Sequence, residues 1–289
     1  MNYTSKYCLF LIILLTFSLQ DVAAMEYSYK IPFMKSDGLM YIEAQVDGEE
    51  GYLIFDTGTD ALILNSDISS EKVSFYTIGG EVSMSEVRVE ALNIGNFSFS
   101  NIDAYARDLS QLEGQPDIKL LGIVGAQLFS NELLHIDNDR NIIQIYSRSY
   151  LSQFSTKDYI SSSMTVIDDI IIVPISISDS EYNFILDSGA STSFVDNAIL
   201  DNHTDSFFST NRSCQIITSD SQSQKCDITR LSKVKLSQLS ILDIEFGIND
   251  FKSMSAELGI EIHGVLSLDQ LPIKDLLIDF EASKVYIGI

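Results

Sequence analysis

Histidine, cysteine and basic residues are all scarce in this 289-residue chain, which has three His, three Cys and 18 Lys plus Arg against 41 Asp plus Glu, a formal net charge of −23. Few cations means little to offset phosphate repulsion, so nucleic acid and anionic lipid surfaces are disfavoured as partners. Three cysteines are too few for a disulfide-dense scaffold. Cys214 and Cys226 follow Cys8 in the chain, and two thiols without a nearby His give too few ligands for a metal. His135, His203 and His263 read as strand-end, loop or surface positions. No HExxH pair, Gly-x-Ser-x-Gly elbow or phosphate loop occurs, so zinc peptidase, serine hydrolase and nucleotide-enzyme chemistry have no sequence basis, and no metal or cofactor is expected.

Long apolar runs are also missing, with one exception at the N-terminus. Cys8 to Phe17 follows the cation Lys6 and precedes the small residues Val22, Ala23 and Ala24, which reads as a secretory signal peptide over residues 1–24. The run is short for a transmembrane helix, so no stable membrane insertion is expected after cleavage; an uncleaved anchor is the alternative. The expected location is secreted or periplasmic, where disulfides persist, and a Cys214–Cys226 bridge across a polar, Ser-rich hairpin is expected there. Only 31 residues precede Asp56 counting from Met25, so no long propeptide is expected.

What the chain does have is a 45% hydrophobic fraction, ample for buried cores, and many short β-branched and aromatic runs. Tyr41–Val46, Gly51–Phe55, Val87–Ile94, Thr165–Ile177, Tyr182–Leu186, Val234–Leu239 and Lys284–Ile289 read as strands. Helical patterns are few: Ser66–Lys72 at most as a turn, Ala126–Glu132, Asn197–Asn202 and Ser253–Leu258. The class is all-β or β-rich with isolated short helices.

The strands fall into two copies of one pattern. Tyr52-Leu-Ile-Phe-Asp56-Thr57-Gly58-Thr59 matches Phe184-Ile-Leu-Asp187-Ser188-Gly189-Ala190-Ser191. Downstream, Gly122-Ile-Val-Gly125 is echoed by Gly264-Val-Leu-Ser267, and Leu133–Asp137 by Leu276–Asp279. The offset is 131 at the aspartates and 142 at the later elements, so the second copy carries 11 extra residues. Two copies argue for two related lobes rather than a solenoid. The boundaries follow: an N-terminal lobe over 25–149, a polar Ser-rich linker over 150–164 and a C-terminal lobe over 165–289. Residues Phe75 to Val82 look like a hairpin whose tip is Gly79-Gly80, either an ordinary hairpin or a mobile cover over a cleft.

Both Asp-Thr/Ser-Gly motifs, the Gly-Ile-Val-Gly and Gly-Val-Leu-Ser segments and the closing strands resemble the aspartic peptidases, the pepsin and retropepsin clan, over nearly the whole mature chain. The resemblance implies a bilobal aspartic-protease fold, two β-barrel-like lobes with a cleft between them. It implies that Asp56 and Asp187 form a proton-sharing dyad that activates water, with Thr57, Gly58, Thr59, Ser188 and Gly189 supporting the loops. Tyr76, Gly79 and Gly80 would belong to a flap that closes over an extended peptide or unfolded protein substrate. Thr59 could hydrogen-bond Asp56 where Ala190 cannot serve Asp187, which would leave Asp56 the more readily ionised. The implied activity is that of an exported, monomeric endopeptidase; the alternative is a catalytically inactive peptide-binding protein on the same fold.

Overall fold

Alternation and burial together explain the strands that carry the aspartates. In a computed structural model that describes residues 28–67, 72–113, 118–152, 155–217 and 223–289, Leu53, Ile54 and Phe55 are fully buried at the end of the strand Glu49–Asp56. That strand is paired along both edges, with Leu39–Val46 antiparallel and Leu120–Gly125 parallel, and its successive side chains enter different apolar clusters, Leu53 and Phe55 one and Ile54 the other, so both faces are covered and a continuous apolar run is what fits. Each such side chain contributes about 1.5–3 kcal/mol by burial. Phe184, Ile185 and Leu186 do the same in Ser180–Asp187, between Ile170–Ile177 and the parallel strand Gly264–Ser267.

Each lobe repeats one arrangement. In the first, Leu62–Asn65 runs antiparallel to Leu120–Gly125 and parallel to Phe97–Arg107; in the second, Ser193–Asp196 runs antiparallel to Gly264–Ser267 and parallel to Leu239–Asn249. The chain is all-β in its body and bilobal. A six-stranded antiparallel sheet joins the lobes, in the order Tyr159–Ser163, Lys284–Gly288, Asp275–Asp279, Leu133–Asp137, Ile142–Tyr146 and Ser28–Ser36. At its centre His135 faces Leu277, the residue it matches 142 positions later, so the pseudo-twofold axis passes between them.

The 11 extra residues of the second lobe can now be placed. Asn65 and Asp196, which end equivalent strands, are 131 apart, whereas Arg107 and Asn249, which end the next equivalent pair, are 142 apart. Six residues follow Asn65 before the next strand, against ten after Asp196, where the helix Asn197–Asn202 forms with Asp196 capping the Ala198 N–H. The remainder lengthens the hairpin Phe207–Leu236 relative to its counterpart Lys72–Ile94.

Several sequence expectations shift. Thr165–Ile177 is not one strand: it turns at Asp168-Asp169, both at positive φ (46° and 60°), giving the hairpin Thr165–Ile167 and Ile170–Ile177. Val234–Leu239 likewise crosses a turn at Ser237. Ala126–Glu132 shortens to a 3-10 turn over Ala126–Phe129, and Tyr159–Ser163, inside the segment read as linker, is a strand of the interlobe sheet. The signal segment and part of Ser66–Lys72 lie outside the described residues. Among the described residues no helix is long and apolar enough to cross a membrane.

Candidate active site

The two aspartates end equivalent strands and meet across the axis. Thr57 and Ser188, buried just beyond them, tie the turns together reciprocally: the Thr57 N–H donates to Ser188 Oγ at 3.0 Å and the Ser188 N–H to Thr57 Oγ1 at 3.0 Å. Each hydroxyl then donates into the opposite lobe, Thr57 to the Leu186 carbonyl at 2.7 Å and Ser188 to the Phe55 carbonyl at 2.9 Å. All four bonds cross between lobes, so the aspartate spacing is fixed by buried groups that would be costly to leave unpaired. Gly58 and Gly189 are required by close approach. A Cβ on Gly58 would lie 2.7 Å from Asp187 Cγ, and one on Gly189 would collide with the Asp56 carboxyl.

The Gly58 N–H donates to Asp56 Oδ1 at 2.7 Å, and the Gly189 N–H to Asp187 Oδ1 at 2.6 Å. The two carboxyl groups are within hydrogen-bond reach of each other. Both keep some exposure at the cleft floor, yet protein surrounds the carboxyl atoms and desolvates their charge. Burial pushes both above the ordinary carboxylate range. For Asp56 the Gly58 N–H, the Asp187 side chain and the Gly189 N–H oppose the rise; for Asp187 the Asp56 charge and hydrogen bond add to it and carry it well up. Two desolvated carboxyls this close cannot both ionise, so the pair shares one proton. The expected contribution of Thr59 is corrected here: among the described residues it makes no hydrogen bond to Asp56, each carboxyl is met by two backbone N–H groups, and the difference between them comes from the charge and hydrogen bond that each presents to the other.

Behind each aspartate the lobes differ. Asp56 pairs with Gly125 and Asp187 with Ser267. A Cβ on Gly125 would lie 2.5 Å from the Thr59 carbonyl oxygen, so only glycine fits. Ser267 is accommodated because its Oγ donates to the Ala190 carbonyl at 2.6 Å, while its N–H donates to Ser193 Oγ at 3.0 Å.

The dyad forms the floor of a cavity of about 470 Å³ between the lobes. Its roof is the hairpin Lys72–Thr77 and Gly80–Ile94. The tip is Ile78-Gly79, one residue earlier than the Gly79-Gly80 expected, because Thr77 pairs with Gly80, which takes φ +100° and starts the return strand. Tyr76 and Gly79 line the cavity and Gly80 does not. Two groups of the second lobe hold the tip down: the Tyr76 N–H donates to Glu257 Oε2 at 3.1 Å, and Asn249 Nδ2 donates to the Ile78 carbonyl at 2.7 Å. Ile78 packs on the second-lobe cluster that includes Phe194, Ile216 and Met254. Cys214 and Cys226 face each other in the hairpin Phe207–Leu236 and are bridged.

Glu257 and Arg107 line the cleft and Asn249 bonds the hairpin tip, none of them singled out in the sequence. The one signal available was the repeat itself, since the 142-residue offset matches Arg107 with Asn249.

No family model and no curated protein matches the sequence. Solved structures do match: an aspartic proteinase from Irpex lacteus at TM-score 0.57 and 13% identity, covering 91% of this chain and 97% of that one. Basic 7S globulin from soybean aligns at TM-score 0.49 and 10% identity, over 91% and 94% of the two chains. The chain has the pepsin-like bilobal fold of the first of these.

Proposed function

We propose that the protein is an exported aspartic endopeptidase that hydrolyses peptide bonds through Asp56 and Asp187. The observation that carries this reading is the pair of desolvated carboxyls within hydrogen-bond reach on the floor of a roofed cleft. Ionised Asp56 takes a proton from water as the water oxygen attacks the scissile carbonyl carbon, and Asp187 gives its proton to the carbonyl oxygen. The resulting tetrahedral diol returns one hydroxyl proton to Asp187, the nitrogen gains the proton held on Asp56, and the C–N bond breaks to release acid and amine. No side-chain nucleophile is consumed.

An extended peptide suits the cleft because Lys72–Thr77 is a sheet edge over the cavity, and both walls carry apolar side chains such as Ile63, Phe75, Phe194 and Ile216. Both carboxyls come from one chain, so a monomer suffices. The N-terminal signal segment and the Cys214–Cys226 bridge support export. The test is hydrolysis of unfolded protein from about pH 3 to 7 by protein starting at Met25, beside Asp56→Asn and Asp187→Asn. Cleavage by the parent alone supports the reading; equal traces from all three remove it.

A further inference from the structure

Arg107 is the one cation among the described residues that line the cleft, where it stands with Asp56, Asp60, Asp168, Asp187 and Glu257. Its backbone is fixed, since Arg107 pairs with Asn65 and its carbonyl accepts the Ser66 N–H at 3.0 Å. Its guanidinium is half-buried and, among the described residues, has no carboxylate partner. Asp108, next in the chain, points to solvent and its carboxylate accepts the Ser110 N–H at 2.9 Å. Asp60 bears on Tyr105, two residues before Arg107, and not on Arg107 itself. Desolvation pulls the guanidinium below its ordinary value, with only the Asp108 charge opposing. In a chain with 41 acidic residues, a partly desolvated arginine that no carboxylate of the described residues meets is an unfilled position rather than a shortage of partners.

The pseudo-symmetry indicates what such a position does. Asn249 occupies the matching place in the second lobe, and its side chain donates to the backbone carbonyl of Ile78 at the hairpin tip. Arg107 offers a planar fork of donors from the opposite wall, beside the apolar Tyr105 and Leu109. That fork matches a carboxylate in two parallel hydrogen bonds.

We propose that Arg107 is the specificity-determining residue of a first-lobe subsite that takes a carboxylate of the bound peptide. This rests on the peptidase reading, but binding tests it separately. The surrounding acids restrict the preference to a single carboxylate at one offset from the scissile bond, within an otherwise neutral or basic peptide.

Four peptide sets distinguish the sources: an internal Glu with an amidated C-terminus, the neutral sequence amidated, the neutral sequence with a free C-terminus, and an internal Lys. Cleavage is read with the parent protein, and binding by fluorescence anisotropy with the Asp56→Asn, Asp187→Asn double variant. The Glu set, the free-terminus set or both should exceed the neutral amidated set by about tenfold. Arg107→Gln should erase that ratio, Arg107→Lys should keep part of it, and Arg107→Glu should favour the Lys set. No carboxylate preference, or one that survives in Arg107→Gln, overturns the proposal. Selective binding without cleavage would sink the peptidase reading and leave the subsite standing; neither binding nor cleavage would sink both.

Discussion

The two lobes solve one problem with different chemistry, and the difference lies just behind the aspartates. In the first lobe Gly125 leaves room for the Thr59 carbonyl; in the second, Ser267 fills the equivalent space and bonds the Ala190 carbonyl. The hairpins differ in the same way. That of the first lobe is held from across the cleft by Glu257 and Asn249, whereas that of the second is longer and is closed on itself by Cys214–Cys226. One lobe therefore supplies a roof whose restraint can be released, and the other supplies a braced wall. Identical strand topology constrains where the two aspartates lie, but not how each is supported.

Breaking the dyad should give the largest effect and expose its asymmetry. Either Asp→Asn change is expected to lower turnover about 10²–10⁴-fold, but the two should differ in stability. A carboxyl whose folded pKa is raised binds its proton more tightly when folded, so its stabilising contribution is present at low pH and is lost as pH rises through the raised value. Asp187 is raised further than Asp56. Urea denaturation should thus show Asp187→Asn gaining stability relative to the parent between acidic and neutral pH, and by more than Asp56→Asn. The basic limb of the activity profile should lie above the ordinary carboxylate range for the same reason.

Next in size is the hairpin contrast. Replacing Cys214 and Cys226 with Ser should cost about 3 kcal/mol by the loop-closure argument, with faster amide exchange confined to Phe207–Leu236; equal acceleration in Lys72–Ile94 would show that the bridge stabilises more than its own lobe.

Exchanging the residues behind the aspartates should fail unequally. Gly125→Ser overpacks a site closed by backbone and should cost about 1–3 kcal/mol, while Ser267→Gly loses a buried hydrogen bond worth about 1 kcal/mol. Equal losses in thermal denaturation would remove the distinction drawn between the lobes.

The smallest effect expected is none. Thr59→Ala should leave the acidic limb of the pH profile in place, because the donors to Asp56 are the Gly58 and Gly189 N–H groups and Asp187.

How much of this was legible in the sequence depended on whether a strand is buried on both faces. Leu53 to Phe55 and Phe184 to Leu186 announced themselves as apolar runs ending in Asp, and Asn197–Asn202 as a short helical pattern. Phe97–Arg107, Phe207–Ile217 and Leu239–Asn249 did not, since one face of each meets solvent and carries Ser, Asn, Asp and Arg without regular alternation. Tyr159–Ser163 is mostly serine and is a strand only because Lys284–Gly288 supplies backbone partners. At the site, residues joined to the aspartates by local motif were readable. Glu257 and Asn249 were not, because they meet the hairpin tip only through contacts 181 and 171 residues apart in sequence.

The central pairing of Leu133–Asp137 with Asp275–Asp279 has a consequence in time. A growing chain that has been synthesised through Asp187 already contains both carboxyl groups, but not the strand that seats the second lobe against the first. Until residues near 279 emerge, the two acids have no fixed separation and no shared proton. The arrangement of the two acids is thus completed only when the C-terminal strands join the first lobe.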